Sequence, residues 1–491
     1  MVAIILIGLL VILGIAYWYL SIPKRLPPGS AGLPIVGYLP FVDPQVHFTF
    51  TKLGRKYGKI FHVYMGSRLV VVLNDFSALK EAYVKQADNF AGRPSDMNYK
   101  DKPEDNMGLV ADDGELWLNH RRFMVSKLRD YGMGKSKLEP LIMDEVRYVI
   151  SEMRKANGQP MDMKDLLCKS FANTVLILLT GQRFGHDHAY ITNTIKAIND
   201  FMPLSQMVAY HIFFPWIRSL PGSQIILQHK KIRDIIESYL KMCEEMVKAT
   251  RKSFSSGNDD NYVHAYLTEQ LRRSKDGRHD DIFNDTSLVH NCRDIIVAGS
   301  ETSSTTTMWV LLYMTNYPEI ATKCQQEVDR VIGRDRDPSI NDRKNTPYVD
   351  ATLCEIERLA AALPIGLSHR NKADAYVDGH RIPKDTLILT NVWHIHHDPQ
   401  LWGDPYNFRP ERFIDSDGKV CRPEYLIPFG IGKRICVGES LARMELYLYF
   451  TSILQHFNFA LPNRIRPGLD SKPGLTRQPK DCVICLVPRQ D

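Results

Sequence analysis

The chain has 491 residues with 62 basic and 56 acidic side chains, a formal net charge of only +6 at pH 7. So small an excess, with no basic tract and no zinc-finger spacing, argues against a nucleic-acid binder. Nine cysteines, odd in number and widely spaced, exclude a secreted disulfide framework and point to a reduced, cytosol-facing body.

Val2 to Leu20 carries no charged or strongly polar side chain, and about 20 apolar residues suffice to cross a bilayer. Lys24 and Arg25 follow that run instead of preceding it, the order of a signal anchor and not of a cleaved signal peptide. Positive charge after the span keeps the body in the cytosol and the N-terminus in the lumen. The expectation is a transmembrane anchor over 1–22. Pro23, Pro27, Pro28, Pro34 and Pro40, with Gly29, Gly32 and Gly37, then predict a stiff, non-helical linker over 23–40. The rest, 41–491, holds no interior linker long enough to divide it and is read as one domain.

Short β-like runs at Leu69 to Leu73 and Thr386 to Leu389 predict a small sheet. Helical signals dominate elsewhere. The longest candidate runs from Thr286 to about Tyr317, roughly 48 Å at 1.5 Å per residue; it is apolar on more than one face, so it crosses the interior. Pro318 to Gly333 opens on proline and closes on glycine, and Pro347 to Ala362 reads as another helix. The fold class is therefore mainly α with minor β. Arg251 to Asn261 and Arg273 to Asp285 read as surface loops. Met207 to Pro221 is unusually apolar for a loop region; it either dips into a bilayer or packs in the core.

Three histidines crowd Trp393-His394-Ile395-His396-His397-Asp398. No HExxH or cysteine partner accompanies them, and alternation would send neighbours to opposite faces, so they are read as structural. Cys482-Val-Ile-Cys485 has CxxC spacing inside an apolar run that reads as a buried strand, with no second pair to complete a zinc site.

Residues Pro428 to Ser440 read PFGIGKRICVGES, and the helical run from Glu439 to Phe450 follows at once. Cys436 at the mouth of a helix would have first-turn N–H groups and the helix dipole to favour its thiolate. Gly432 and Gly438 let backbone approach a flat, bulky ligand, and Arg434 adds a permanent cation for an acidic edge of it. Neither GxGxxG nor GxxxxGK[ST] can be read through these glycines, which excludes a phosphate loop.

Phe429-x-x-Gly432-x-Arg434-x-Cys436-x-Gly438 resembles the haem-ligand signature of the cytochrome P-450 mono-oxygenases, and the closest likeness is to their microsomal, drug- and steroid-oxidising branch in animals. The resemblance covers nearly the whole chain and implies a helical domain enclosing haem b, with Cys436 as the axial thiolate on iron. Glu355-Ile-Glu-Arg358 resembles the family's ExxR pair, and Pro410-Glu411-Arg412-Phe413 the segment whose arginine joins it in a Glu355–Arg358–Arg412 network. Trp117-x-x-x-Arg121, Arg93, His369 and Arg434 match positions that meet the haem propionates; Arg370 is the alternative to His369. Ala298-Gly299-Ser300-Glu301-Thr302 resembles the oxygen-activation motif. There Ala298 and the other small residues leave room beside the haem, the Thr302 hydroxyl holds the bound oxygen, and the Glu301 acid relays protons.

The activity so implied is insertion of one oxygen atom of O2 into a lipophilic small molecule, by hydroxylation or epoxidation. Electrons would come from the NADPH–cytochrome reductase, with cytochrome b5 as a further donor, at the endoplasmic reticulum membrane. An acidic reductase face would meet a basic one here, for which His120, Arg122, Lys127, Arg129 and Lys433 are candidates. The substrate pocket would be lined near Asn98 to Val110, Ile295 to Thr302, Leu363 to Leu367 and Leu475. A haem-thiolate isomerase or dehydratase needs no proton relay, so Glu301 and Thr302 favour the mono-oxygenase over it. A non-catalytic haem sensor or lipid carrier is the reading from another class. One departure from the branch is Ser30, after Leu26-Pro-Pro-Gly29, where a further proline is usual.

Overall fold

A computed structural model describes residues 2–20, 22–94, 108–205, 212–214, 222, 228–255, 257, 259–277, 282–480 and 483–490. Most of Met207 to Pro221, the pocket stretch from Asn98 to 107, and Cys482 lie outside the described residues.

Val2–Leu20 forms helix α1, 19 residues long, about 28 Å at 1.5 Å per residue. Counted over the described residues, no helix is long and apolar enough to cross a membrane.

The chain after α1 enters a five-stranded sheet. Strand β1 (Gly29–Ser30) pairs parallel with β2 (Ile60–Met65), which turns back as an antiparallel hairpin into β3 (Arg68–Leu73). Gly66 makes that turn at φ +62, where a Cβ would also strike Phe213 O at 2.3 Å. A short strand β4 (Met161–Asp162) belongs to a second sheet. β5 (His369–Arg370) joins the first sheet at its far edge, after a separate ribbon-forming pair β6 (Ala375–Val377) and β7 (His380–Ile382) is set aside. β8 (Leu387–Thr390) lies between β3 and β5, parallel to one and antiparallel to the other. β9 (Phe457–Ala460) and β10 (Val483–Pro488) complete the second sheet with β4. Both predicted strands are thus present, at Arg68–Leu73 and Leu387–Thr390, and the apolar run holding Cys485 is β10. The described cysteines are all free thiols.

Helices supply the bulk. Those that position the site are α2 (Val46–Tyr57), α3 (Gly114–Asp130), α4 (Glu139–Ala156), α5 (Lys164–Thr180), α6 (Tyr262–Lys275), α7 (Asp285–Asn316), α8 (Pro318–Val331), α9 (Pro347–Ala360), α10 (Val392–His396) and α11 (Glu439–His456). α7 is the 32-residue interior helix. Asn284 caps it by accepting from Ser287 N, as the N-terminus of so long a helix requires. It packs along α5 and also touches α9 and α11. Gly299 permits the α5 contact, since a Cβ there would lie 2.6 Å from Val175 Cγ2. Its small size therefore serves helix packing and not, as foreseen, open space. The core between these helices is built on fully buried Phe171, Tyr262, Trp309, Tyr447 and Phe450.

The histidine run is the clearest local surprise. Residues 392–396 are helical, not extended, so alternation does not separate the rings. Each inner ring is instead fixed by the backbone. His396 Nε2 accepts from Ile427 N at 3.0 Å, and His397 Nδ1 lies 2.8 Å from Trp393 O. Burial first, then Arg358, pushes His396 down to about 3, so it stays neutral.

Candidate active site

The cysteine loop is held before its helix begins. Cys436 N donates to Phe429 O at 3.0 Å, and Gly432–Arg434 forms a 3-10 turn. Gly432 sits at φ +79 with Tyr83 O 2.1 Å from where a Cβ would stand. The glycine thus lets the loop press against the Tyr83 backbone, not against a ligand as expected. At the sulfur, burial raises the thiol above its ordinary value and the Glu439 carboxylate adds to that, while the N–H groups of Gly438 and Glu439 and the charge of Arg121 offset only part of it. Residue 436 nonetheless keeps accessible surface, so the sulfur is crowded by its surroundings without being closed over.

Beside it lies a knot of cations. Arg434 stacks on the Trp117 indole, 3.8 Å from ring centre to guanidinium carbon. It donates through Nε to Ala91 O and through Nη2 to Asp112 O, while its buried Nη1 has no partner among the described residues. Arg121 donates to Ile435 O at 2.5 Å. Arg93 donates to Ser368 O at 2.6 Å and Val110 O at 3.0 Å. Burial, reinforced by the neighbouring arginines, pushes Arg434 down to about 9 and Arg93 to about 10. Three arginines that destabilise one another's charge, with one N–H left over, fit a dianionic group. His369, in β5, points its Nδ1 at Phe90 O (2.8 Å) and stacks on Tyr83 at 4.1 Å. Burial and then Arg93 hold it well below the usual imidazole range. Arg370 beside it is engaged by two carboxylates, Asp113 and Asp385.

On α7, Ala298 is exposed and Thr302 half-exposed, although Ile296, Ser300, Glu301 and Ser303 around them are buried. Residues four apart share one helix face, so Ala298 and Thr302 form a stripe with accessible surface inside the core. Asp294 continues that spacing. Its Oδ2 accepts from Val110 N at 2.9 Å, which ties α7 to the segment whose carbonyls hold Arg93 and Arg434. The i+4 spacing from Ala298 could have found Asp294 in the sequence. Thr302 Oγ1 donates to Ala298 O at 2.6 Å. Glu301 is not brought to this stripe. It is buried, its Oε1 accepts from Thr305, Thr476 and Gln478, and its Oε2 has no partner among the described residues.

A second buried acid went unnoticed in the sequence. Glu445, on α11, accepts from Ser303 Oγ at 3.4 Å. Burial raises its carboxyl from 4.5 to about 8. The native state therefore holds a proton that the unfolded chain releases above about 4.5, so stability falls as pH climbs from there towards about 8. Glu445→Gln cannot ionise. It is expected to melt with the wild type at pH near 4.5 and several degrees above it near pH 8, the gain being a few kcal/mol at most; thermal denaturation at the two pH values checks this.

The family profile described as Cytochrome P450 matches residues 27–486. The chain belongs to the cytochrome P450 family. It is similar to cytochrome P450 2U1 of Bos taurus, at 34% identity over 99% of this chain and 94% of the relative. It is likewise similar to cytochrome P450 2J2 of Homo sapiens, at 33% over 95% and 92%. Cytochrome P450 2G1 of Oryctolagus cuniculus is 35% identical over 97% and 96%. The chain is thus a mono-oxygenase of the haem-thiolate class, whose cofactor is haem with a cysteine thiolate ligand and whose electrons come from NADPH through a reductase.

Two further features of this cytochrome P450 bear on its stability and its surface. On α9, Arg358 is fully buried and donates to both carboxylate oxygens of Glu355, at 2.7 and 2.8 Å. Its remaining nitrogen bonds His396 O and Pro405 O, and Arg412 adds a third contact to Glu355 at 3.0 Å. A groove of ≈ 580 Å³ borders the arginine knot and is lined by Trp117, Arg121, Arg122, Arg129, Asp130 and Lys433. Lys433 is ion-paired with Asp88, and Lys127 with Asp259 at 3.0 Å. His120 does not belong to any such surface; it is fully buried.

Proposed function

We propose that this chain is a membrane-anchored mono-oxygenase of lipophilic small molecules, with Cys436 as the thiolate ligand of haem b. One observation carries the assignment: a crowded yet accessible thiol at a helix mouth, beside a surplus of buried arginine charge. Bound haem supplies the iron at which dioxygen is activated and one oxygen atom passes to the substrate. Arg93, Arg121, Arg434 and the Trp117 indole would hold its carboxylates, whose two charges relieve the repulsion among the arginines. With a carboxylate alongside, His369 gains the counter-charge that its protonation needs, and Nε2 becomes a donor. The N–H groups of Gly438 and Glu439 and the helix dipole steady the sulfur charge.

On α7, Ala298 leaves space and Thr302 handles protons. Its hydroxyl, freed from Ala298 O, can hold a proton at Oγ1 towards that space. Glu301 acts from behind α7, through its unpartnered oxygen and the Thr476–Gln478 segment. Thr302→Ala is expected to keep NADPH consumption while product per NADPH falls roughly tenfold or more and hydrogen peroxide takes up the electrons. Parallel assays of NADPH, peroxide and product measure it; unchanged coupling would remove Thr302 from the relay.

Helix α1, with Lys24 and Arg25 behind it, supports an anchor in the endoplasmic reticulum membrane over 1–22 and a catalytic domain over 41–491 facing the cytosol; of the proline-rich linker expected over 23–40, Gly29–Ser30 is already part of that domain's sheet. The groove with Arg122, Arg129 and Lys433 supports docking of the acidic NADPH–cytochrome reductase, and of cytochrome b5 on the same face. Leu475 and the segment Leu363 to Leu367 support an apolar substrate. Turnover of a panel of lipophiles with reductase and NADPH, after a carbon monoxide difference spectrum, tests the reading. Clear substrate binding without turnover would favour a carrier.

A further inference from the structure

We propose that His120, Asp112 and Tyr266 form a buried proton-holding relay that positions the Arg434 arm of the arginine knot and makes its grip on the cofactor depend on pH. The inference rests on the reading of that knot as the haem-carboxylate cradle. His120 is fully buried on α3. Its Nε2 lies 3.1 Å from the Tyr266 hydroxyl of α6, and that hydroxyl donates to Asn284 O at 3.3 Å. A hydroxyl has one proton to give, so Nε2 is the donor in the contact between them. Nδ1 then faces Asp112 Oδ2 at 3.8 Å, and neither atom has a hydrogen-bond partner among the described residues. Two buried acceptors set against each other are costly. A proton on Nδ1 turns the pair into a charge-assisted contact.

Asp112 connects this proton to the cradle. Its backbone oxygen accepts from Arg434 Nη2 at 2.7 Å, and its N–H donates to Gly108 O at 2.8 Å. Its carboxylate, after that of Asp113, which lies 3.9 Å from Arg434 and stays charged, also supports the charge on Arg434. When His120 carries a proton, the imidazolium takes up part of the Asp112 charge, and more of the Arg434 field is left for an anionic partner. When the proton leaves, Asp112 competes with that partner.

The other ionisable groups around the pair keep a fixed charge. Burial pushes the Tyr266 phenol and the Cys292 thiol well up, so both stay neutral. Asp285, near Tyr266, is held low by Arg251 and stays charged. The Phe283 ring against His120 does not titrate, and Arg273 beyond that ring is a permanent cation, as are Arg121 and Arg122 on α3.

The test is transfer of haem from the holoprotein to excess apomyoglobin, followed in the Soret region from about pH 6 to about pH 8.5, the range in which a histidine changes charge. The wild-type rate is expected to rise about tenfold across that range, the effect of a one-unit coupling. His120→Gln keeps a donor for Tyr266 but takes up no proton, and is expected to give a flat profile; Asp112→Asn is expected to flatten it too. A wild-type rate independent of pH overturns the relay without any variant having to fold, and so does a His120→Gln protein with the wild-type profile. Absence of the far-shifted carbon monoxide band from the wild type overturns the cradle as well, whereas a normal band with pH-independent transfer overturns the relay alone.

Discussion

Cys436→Ser is expected to abolish the far-shifted Soret band of the reduced carbon monoxide complex and to lower turnover by on the order of a thousandfold, some 4 kcal/mol in the barrier. Serine keeps the backbone bond from position 436 to Phe429 O and the pressed turn at Gly432, so the loop itself should survive. What changes is the donor atom. An alcohol at the same helix mouth does not ionise near neutral pH, even with the Gly438 and Glu439 N–H groups and Arg121 beside it. Difference spectroscopy and turnover on the same preparation separate ligand loss from misfolding. A serine variant with the band in its ordinary place would remove Cys436 from the iron.

The second large effect is on stability. Glu355→Ala is expected to cost about 3–5 kcal/mol, because it leaves the fully buried Arg358 without its carboxylate, while Arg412 loses one acidic partner and keeps Asp404. Arg358→Ala should cost somewhat less, since Glu355 retains Arg412, though His396 O and Pro405 O lose their donor. Thermal denaturation of the two single variants and the double variant measures the coupling; the double should be milder than the sum. Arg358→Lys tests the geometry, because a single ammonium cannot reproduce the paired bonds to both Glu355 oxygens. Equal melting temperatures for all of these proteins would show the network to be dispensable.

What the sequence disclosed was whatever is local. The order Gly432, Arg434, Cys436, Gly438 and the helix from Glu439 sit within one short stretch. The interior helix, expected from Thr286 to about Tyr317, is Asp285–Asn316, and the helices expected from Pro318 and Pro347 open on those prolines. The small sheet also lies where the β-branched runs put it. What stayed hidden depends on which neighbour a face meets after packing. Gly299 answers to Val175 on another helix, and Gly432 to the backbone of Tyr83. The direction of Glu301, towards Thr476 and Gln478, needs a contact across 175 positions or more of chain. His120 carries the composition of a surface residue and is enclosed only because α6 and Phe283 lie over it. Only the extended alternation assumed for the histidine run failed, because five residues hold too little periodicity to tell a short helix from an extended segment.

The crowding of Arg93, Arg121 and Arg434 has a bearing on the protein's life in the cell. A newly made polypeptide must gather like charges before their natural counterweight is in hand, and anything that binds only the finished fold adds to its stability by mass action. Porphyrin supply during biosynthesis should therefore govern how much of the enzyme accumulates, with the unfilled chain the form that proteases remove first.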